Sequence, residues 1–213
     1  MDPNSGKKNM FNKLSKVQAL KSLNKETFKR KTVSFYRYVI LEEPDKLRDV
    51  LYKEWIELGV LGRVYLAHEG INAQVSLPED NWLEFKSKIY QKKHFENVPF
   101  KIAIEDDRDS FFKLTIKVRD QIVADGLSID EYDVTNVGKH LTALNWNKAM
   151  ENGATVVDMR NHYESEIGKF KGAICPDVET FKEELPLVKD LLRGKEGESI
   201  LLYCTGGIRC EKA

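Results

Sequence analysis

No stretch of this sequence approaches the roughly 20 consecutive apolar residues that span a bilayer. Its first residues also lack the apolar core of a secretory signal. Cysteine is scarce: Cys175, Cys204 and Cys210 are the only three in 213 residues, an odd number that fits no disulfide framework. Free thiols and a cytoplasmic location are therefore expected, because disulfides persist mainly in oxidising compartments. No Gly-x-Gly-x-x-Gly fingerprint is present, and His68, His94, His140 and His162 show no iron-site spacing, so no bound cofactor and no metal site is expected. Net charge is absent as well, with 34 Lys+Arg against 34 Asp+Glu. What is there is an ordinary globular composition, 41% hydrophobic and 32% charged, enough for a packed core under a charged surface.

The balanced charge is unevenly placed. Residues 1–31 carry nine Lys/Arg against Asp2 and Glu26, a net of +7. Such a basic arm suits an anionic partner such as RNA, and it equally suits a solvated leader. Both readings stay open at this point.

Beyond the arm the periodicities alternate. Val33–Ile40 is β-rich and aromatic. Pro44-Asp45 opens a helix with Leu47, Val50, Leu51, Trp55 and Leu58 on one stripe, ending at Gly59. Val60–Leu66 and Ile71–Leu77 read as strands joined at His68-Glu69-Gly70, Glu79–Tyr90 as a helix, and Phe100–Ile104 as a fourth strand, with Lys113–Val118 as a candidate to extend the sheet. That βαββαβ order predicts a ferredoxin-like, acylphosphatase-like α+β domain over residues 32–120. A connection over 121–138 leads into a second unit, 139–213. There a helix at Leu141–Met150, a strand at Thr155–Asp158, a strand at Lys171–Ile174, a helix at Val178–Leu192 and a strand at Ser199–Tyr203 predict an α/β domain with a parallel sheet.

The last strand runs into Cys204-Thr205-Gly206-Gly207-Ile208-Arg209. Paired glycines let successive backbone N–H groups turn toward one point. Those amides, a helix beginning at Cys210 and the Arg209 charge would all favour a thiolate. Cys204 is thus the expected nucleophile, with Arg209 as its catalytic partner and Thr205, Gly206, Gly207 and Ile208 as an anion-cradling loop. Cys210 is either a resolving thiol or a small packed residue. Four residues separate Cys204 from Arg209, one fewer than in cysteine phosphatases, so the ring suits a sulfur-sized group better than phosphate.

Val156-Val-Asp158-Met-Arg160, Tyr163-Glu164, Gly168-Lys-Phe-Lys-Gly172-Ala-Ile174 and the Cys204 loop together resemble a rhodanese domain, with Lys169 where that family usually has His. Glu69-Gly-Ile-Asn72, Val75-Ser-Leu-Pro78 and Cys204-Thr-Gly-Gly-Ile-Arg-Cys-Glu-Lys-Ala213 narrow the resemblance to the rhodanese-domain tRNA uridine hydroxylases. The resemblance implies oxygen-dependent conversion of the wobble uridine at tRNA position 34 to 5-hydroxyuridine. It implies molecular oxygen as co-substrate, the tRNA anticodon region as partner, and Asp158 and Arg160 as supporting residues. Members of that family continue beyond the point matching Ala213, so the rhodanese-like domain is expected to be incomplete here. The loop alone leaves a second activity open, sulfur transfer through a Cys204 persulfide. For RNA contacts, Tyr36, Arg37, Tyr38, Arg63 and Tyr65 lie on strands of the first domain, and about half must face inward.

Overall fold

The computed structural model describes residues 15–104, 111–128, 131–133 and 136–213. The chain divides into two compact units, Met1–Ile122 and Val123–Ala213.

Much of the basic stretch lies outside the described residues, at 1–14. The rest is folded. Helix α1 (Lys16–Leu23) starts at a capping box between Ser15 and Gln18 and buries Ala19 and Leu23. Strand β1 (Arg30–Tyr38) begins three residues before the apolar pattern does. Charge hid that start: Arg30 is buried, donating to the carbonyls of Gly59 and Ser76 at 3.1 Å each and to the Glu26 carboxylate at 2.7 Å.

Helix α2 (Pro44–Glu57) opens on proline, whose missing N–H costs nothing at a helix start. Strands β2 (Leu61–Ala67) and β3 (Gly70–Pro78) form a hairpin. Gly70 sits there at φ +143°, where a Cβ would meet the Arg37 carbonyl oxygen at 2.0 Å, so only glycine lets the strands close. A 3-10 turn at Glu79–Asn81 precedes α3 (Trp82–Tyr90), so the single helix expected from Glu79 starts three residues later. Strands β4 (Lys101–Ile102) and β5 (Leu114–Val118) complete a five-stranded sheet in the order β4-β1-β3-β2-β5, antiparallel except for the β2–β5 pair. This is a mixed sheet in an acylphosphatase-like unit.

Strand alternation divides that sheet cleanly. Val33, Phe35, Val64, Leu66, Ile71, Ala73, Val75 and Ile116 point to one face, where Leu51 and Trp55 of α2 and Phe85 and Ile89 of α3 are also buried. Phe35 meets Trp55 edge-on at 6.3 Å and Phe100 at 4.9 Å between centroids, an aromatic centre to the core. Val50, expected on the α2 stripe, is exposed instead; Tyr52 and Arg48 are buried in that helix.

In the second unit α4 (Ala143–Glu151) is capped by Thr142. Strand β6 (Thr155–Asp158) leads to α5 (His162–Ile167), then to α6 (Phe181–Leu191) with a Thr180–Glu183 capping box, and to β7 (Ile200–Tyr203). Strands β6 and β7 pair in parallel, with Asp158 opposite Tyr203. The strand expected at Lys171–Ile174 shrinks to one bridge, Ile174 to Val157, because Gly172 at φ +78° turns the chain just before it. The core is Val157, Met159, Phe181 and Val188, with Cys204 and Cys210 packed at its edge. A buried ion pair, Lys212 Nζ to Asp125 at 2.7 Å, ties the segment after Cys210 to the start of the unit.

Candidate active site

Parallel pairing puts the C-terminal ends of β6 and β7 side by side, and the expected site residues gather there. Cys204, Thr205, Gly206, Gly207, Ile208, Arg209 and Cys210 form one tight loop and turn, and Asp158 and Arg160 leave the neighbouring strand end. No helix begins at Cys210 among the described residues. Ile208–Glu211 is a turn, closed by Lys212 N–H donating to the Arg209 carbonyl at 3.0 Å.

The loop bends back on its own sulfur. Gly207 adopts φ +87°, and its N–H donates to Cys204 Sγ at 3.0 Å. The Cys204 thiol is pulled down to about 5, first by a hydrogen bond from the Cys210 thiol. Burial opposes this, but the Arg209 and Cys210 backbone N–H groups and the Arg209 charge outweigh it. Cys210 is pushed up in turn, because its proton is held by Cys204 and its own site is desolvated. Of the pair, Cys204 carries the negative charge, since the Gly207 amide also points at its sulfur. Cys210 therefore has a role neither expectation named: it donates to the thiolate. Cys175, desolvated and near Asp158, is raised and is the poorer nucleophile.

Arg209 is shared. Its guanidinium donates to Glu164 at 2.9 and 3.0 Å and to Asn161 Oδ1 at 3.3 Å. Burial alone would lower its pKa, but Glu164 and the Cys204 sulfur reverse that and keep it cationic. Thr205 Oγ donates a hydrogen bond to the other Glu164 oxygen. Burial would raise Glu164, yet Thr205 and Arg209 hold it below the usual carboxylate range. The sequence showed Glu164 only as part of the rhodanese-like pattern, without this partnership, which spans 45 residues.

Asp158 is fully buried and acts as a brace. It accepts from Arg160 Nε at 2.7 Å, from the Arg160 N–H at 3.2 Å and from the Tyr203 hydroxyl at 2.6 Å. The Asp158 hydrogen bond keeps Arg160 charged, and its guanidinium lies 5.3 Å from the Tyr203 ring centroid. Burial and then Asp158 push Tyr203 up to about 12, so its hydroxyl stays a donor. Asp158 and Arg160 thus lock the two strand ends together beside the loop.

Glu184 was not foreseen. It lies on α6 between Phe181 and Val188 at helical spacing, so it takes a place on the apolar stripe. It is fully buried, with neither carboxyl oxygen bonded among the described residues. Burial pushes it up to about 8; Arg209 pulls it down, while Asp158, Cys204 and Glu164 add to the rise. A carboxyl on the apolar face of an amphipathic helix is the signal that would have found it.

Residues 30–122 match the family described as UPF0176 acylphosphatase like domain. A protein of Leptospira interrogans named tRNA uridine(34) hydroxylase is 55% identical over 208 residues, covering 97% of this chain and 57% of that one. Over nearly all its length the chain is similar to proteins named tRNA uridine(34) hydroxylase. Proteins of the same name from Yersinia enterocolitica and Yersinia pestis are 46% and 45% identical, each covering 96% of this chain and 59% and 58% of theirs. The chain therefore spans somewhat under two thirds of the tRNA uridine(34) hydroxylases it matches. The resemblance read from Glu69–Asn72 and from the Cys204 loop extends over nearly all of it. A solved structure titled BlsA photo-activated state aligns at TM-score 0.33 and 19% identity over 42% of this chain and 67% of that one, too loosely to bear on fold or function.

Proposed function

We propose that this chain carries the reactive centre of an enzyme that hydroxylates uridine 34 of tRNA, with Cys204 as nucleophile and Arg209 as the charge that steadies it. The observation that carries the reading is a sulfur held as an anion at neutral pH by the Gly207 amide, the Cys210 thiol and Arg209. The names of its relatives supply the substrate class. On this reading residues 139–213 are the beginning of a rhodanese-like domain and 121–138 its connection to the acylphosphatase-like domain.

The chemistry follows from what a thiolate does to uracil. Cys204 adds to carbon 6, and the ring electrons move to carbon 5, which becomes nucleophilic. Molecular oxygen, the co-substrate, takes up that electron pair to give a hydroperoxide at carbon 5 once a proton arrives. Two further electrons and two protons, from a thiol pair oxidised to a disulfide, cleave the O–O bond. They leave a 5-hydroxyl and one water. Loss of the carbon 5 proton expels Cys204 and restores the double bond. Arg209 and the loop N–H groups stabilise the sulfur as it leaves. The anticodon loop of tRNA is the partner, and the cytoplasm is where such a substrate is met.

The test is nucleoside mass analysis of tRNA incubated with the protein, with and without oxygen, alongside the Cys204→Ser variant. 5-Hydroxyuridine that depends on both oxygen and Cys204 supports the reading. The modified base formed equally by Cys204→Ser removes it.

A further inference from the structure

We propose that the open face of the sheet in the first unit binds single-stranded RNA, stacking bases on Tyr65 and Tyr36 and pairing phosphates with Arg63 and Lys117. This rests on the reading of the chain as tRNA-directed and adds where the RNA is held.

The registers decide which side chains share that face. Tyr36 lies opposite Asn72, Asn72 opposite Tyr65, and Tyr65 opposite Lys117. These four make one row across β1, β3, β2 and β5. The next row is Ser34, Gln74, Arg63 and Thr115, with Lys101 of β4 at the Ser34 end. All of them alternate with the buried positions Phe35, Val64, Ala73 and Ile116, so they project from the side opposite the core. Arg37 falls on the core side, where it donates to the Glu96 carbonyl at 3.3 Å, and it drops out of the set.

The chemistry of the face is unusual for a sheet surface. Arg63, Gln74, Lys101 and Lys117 are exposed, and Tyr65 is half-buried. No outward position of β1, β2, β3 or β5 carries a carboxylate, in a chain with as many acids as bases. Tyr36 and Tyr38 meet edge-on at 6.1 Å. Asn72, between the two tyrosines in the row, donates to the Ile122 carbonyl at 3.1 Å, which brings the buried Ile122 of the chain leaving β5 onto this face beside them. Tyrosines two strands apart, roughly 9.5 Å, with amides and cations between them make a platform for unstacked bases. Double-stranded RNA presents no such bases, and an acidic peptide would have no use for the tyrosines. A loop with splayed nucleotides uses every part.

The experiment is fluorescence anisotropy of a labelled RNA stem closed by a seven-nucleotide loop, against the same stem as a plain duplex, titrated with the intact chain. Tyr65→Leu is expected to weaken loop binding five-fold or more, and Tyr65→Phe to leave it nearly unchanged, because stacking needs the ring and not the hydroxyl. Arg63→Gln and Lys117→Gln should each weaken binding and lower its salt dependence by about one ion. Unchanged circular dichroism melts exclude unfolding as the cause. Equal affinity for loop and duplex, or Tyr65→Leu binding as tightly as the unmodified protein, overturns the proposal. If heparin binds equally well and ignores the tyrosine changes, the face is only a cationic patch. These outcomes stand apart from the hydroxylation assay: loop binding through Tyr65 without 5-hydroxyuridine would keep this surface and discard the proposed reaction.

Discussion

Replacing Cys210 with alanine tests the thiol pair directly. The first contributor to the low Cys204 pKa is the hydrogen bond from Cys210, and the sulfur titrates at about 5 with it in place. A hydrogen bond to a charged group contributes about 1.5–3 kcal/mol. At about 1.4 kcal/mol per unit, losing it moves the midpoint up by roughly one to two units. The Cys204 midpoint in Cys210→Ala is therefore expected between about 6 and 7, still below the free-thiol value of about 8.5, because the Gly207 amide and Arg209 remain. Rate at a single pH is a poor readout. A thiolate of higher pKa is intrinsically more nucleophilic, with a Brønsted slope of about 0.4–0.5, so the alkaline plateau rises roughly three- to ten-fold as the neutral-pH thiolate fraction falls. At pH 7 the thiolate fraction falls about two-fold at most, so the neutral rate rises roughly two- to five-fold even as the midpoint climbs. The assay is iodoacetamide alkylation from pH 4 to 10, with Cys204 followed by peptide mass so that Cys175 does not contaminate the signal. A midpoint near that of a free thiol in the unmodified protein refutes the cradle. A low midpoint that Cys210→Ala leaves in place refutes the donor role of Cys210 alone.

Arg209→Ala should raise the Cys204 midpoint further than charge removal alone, because it also frees the Glu164 carboxylate beside the sulfur; the same alkylation profile reads this. Glu184→Gln should stabilise the protein. The folded pKa near 8 lies above the unfolded value, so the folded form holds the extra proton and loses stability as pH rises from about 4.5 through 8. The cost reaches about 3 kcal/mol at pH 7, and urea melts across that range should be flatter for the variant; equal slopes would contradict a buried neutral acid. Asp125→Asn strands the buried Lys212 charge and should cost about 3–5 kcal/mol, most of it recovered by adding Lys212→Met; no recovery in thermal melts would show the loss is not electrostatic.

Local pattern was enough for most of the elements, though not for α1 inside the basic stretch or for the short α5. The 3.6-residue stripe through Leu51 and Trp55 and the period-two strands around Phe35 and Val75 follow from which face must be buried, and each is written within a dozen residues. The Cys204–Arg209 loop was legible for the same reason, since a cysteine, two glycines and an arginine in one run need no partner from elsewhere to be recognised. Backbone exceptions blurred the edges: Arg30 carries charge into a strand, and Gly172 cuts one short to a single bridge.

Tertiary structure alone decided which groups brace the loop from elsewhere in the chain. Arg209 meets Glu164 from 45 residues away, and Tyr203 meets Asp158 from 45, because the parallel β6–β7 register sets those strand ends together. Glu184 becomes a buried acid only when α6 turns its apolar stripe toward the core. Likewise, strand alternation led to the expectation that about half of Tyr36, Arg37, Tyr38, Arg63 and Tyr65 face inward, whereas only Arg37 does, and the registers of β1, β3 and β2 decide which rows the other four share. Periodicity is a property of one segment. Register is set by how separate segments bury their apolar faces against each other, and no single segment contains it.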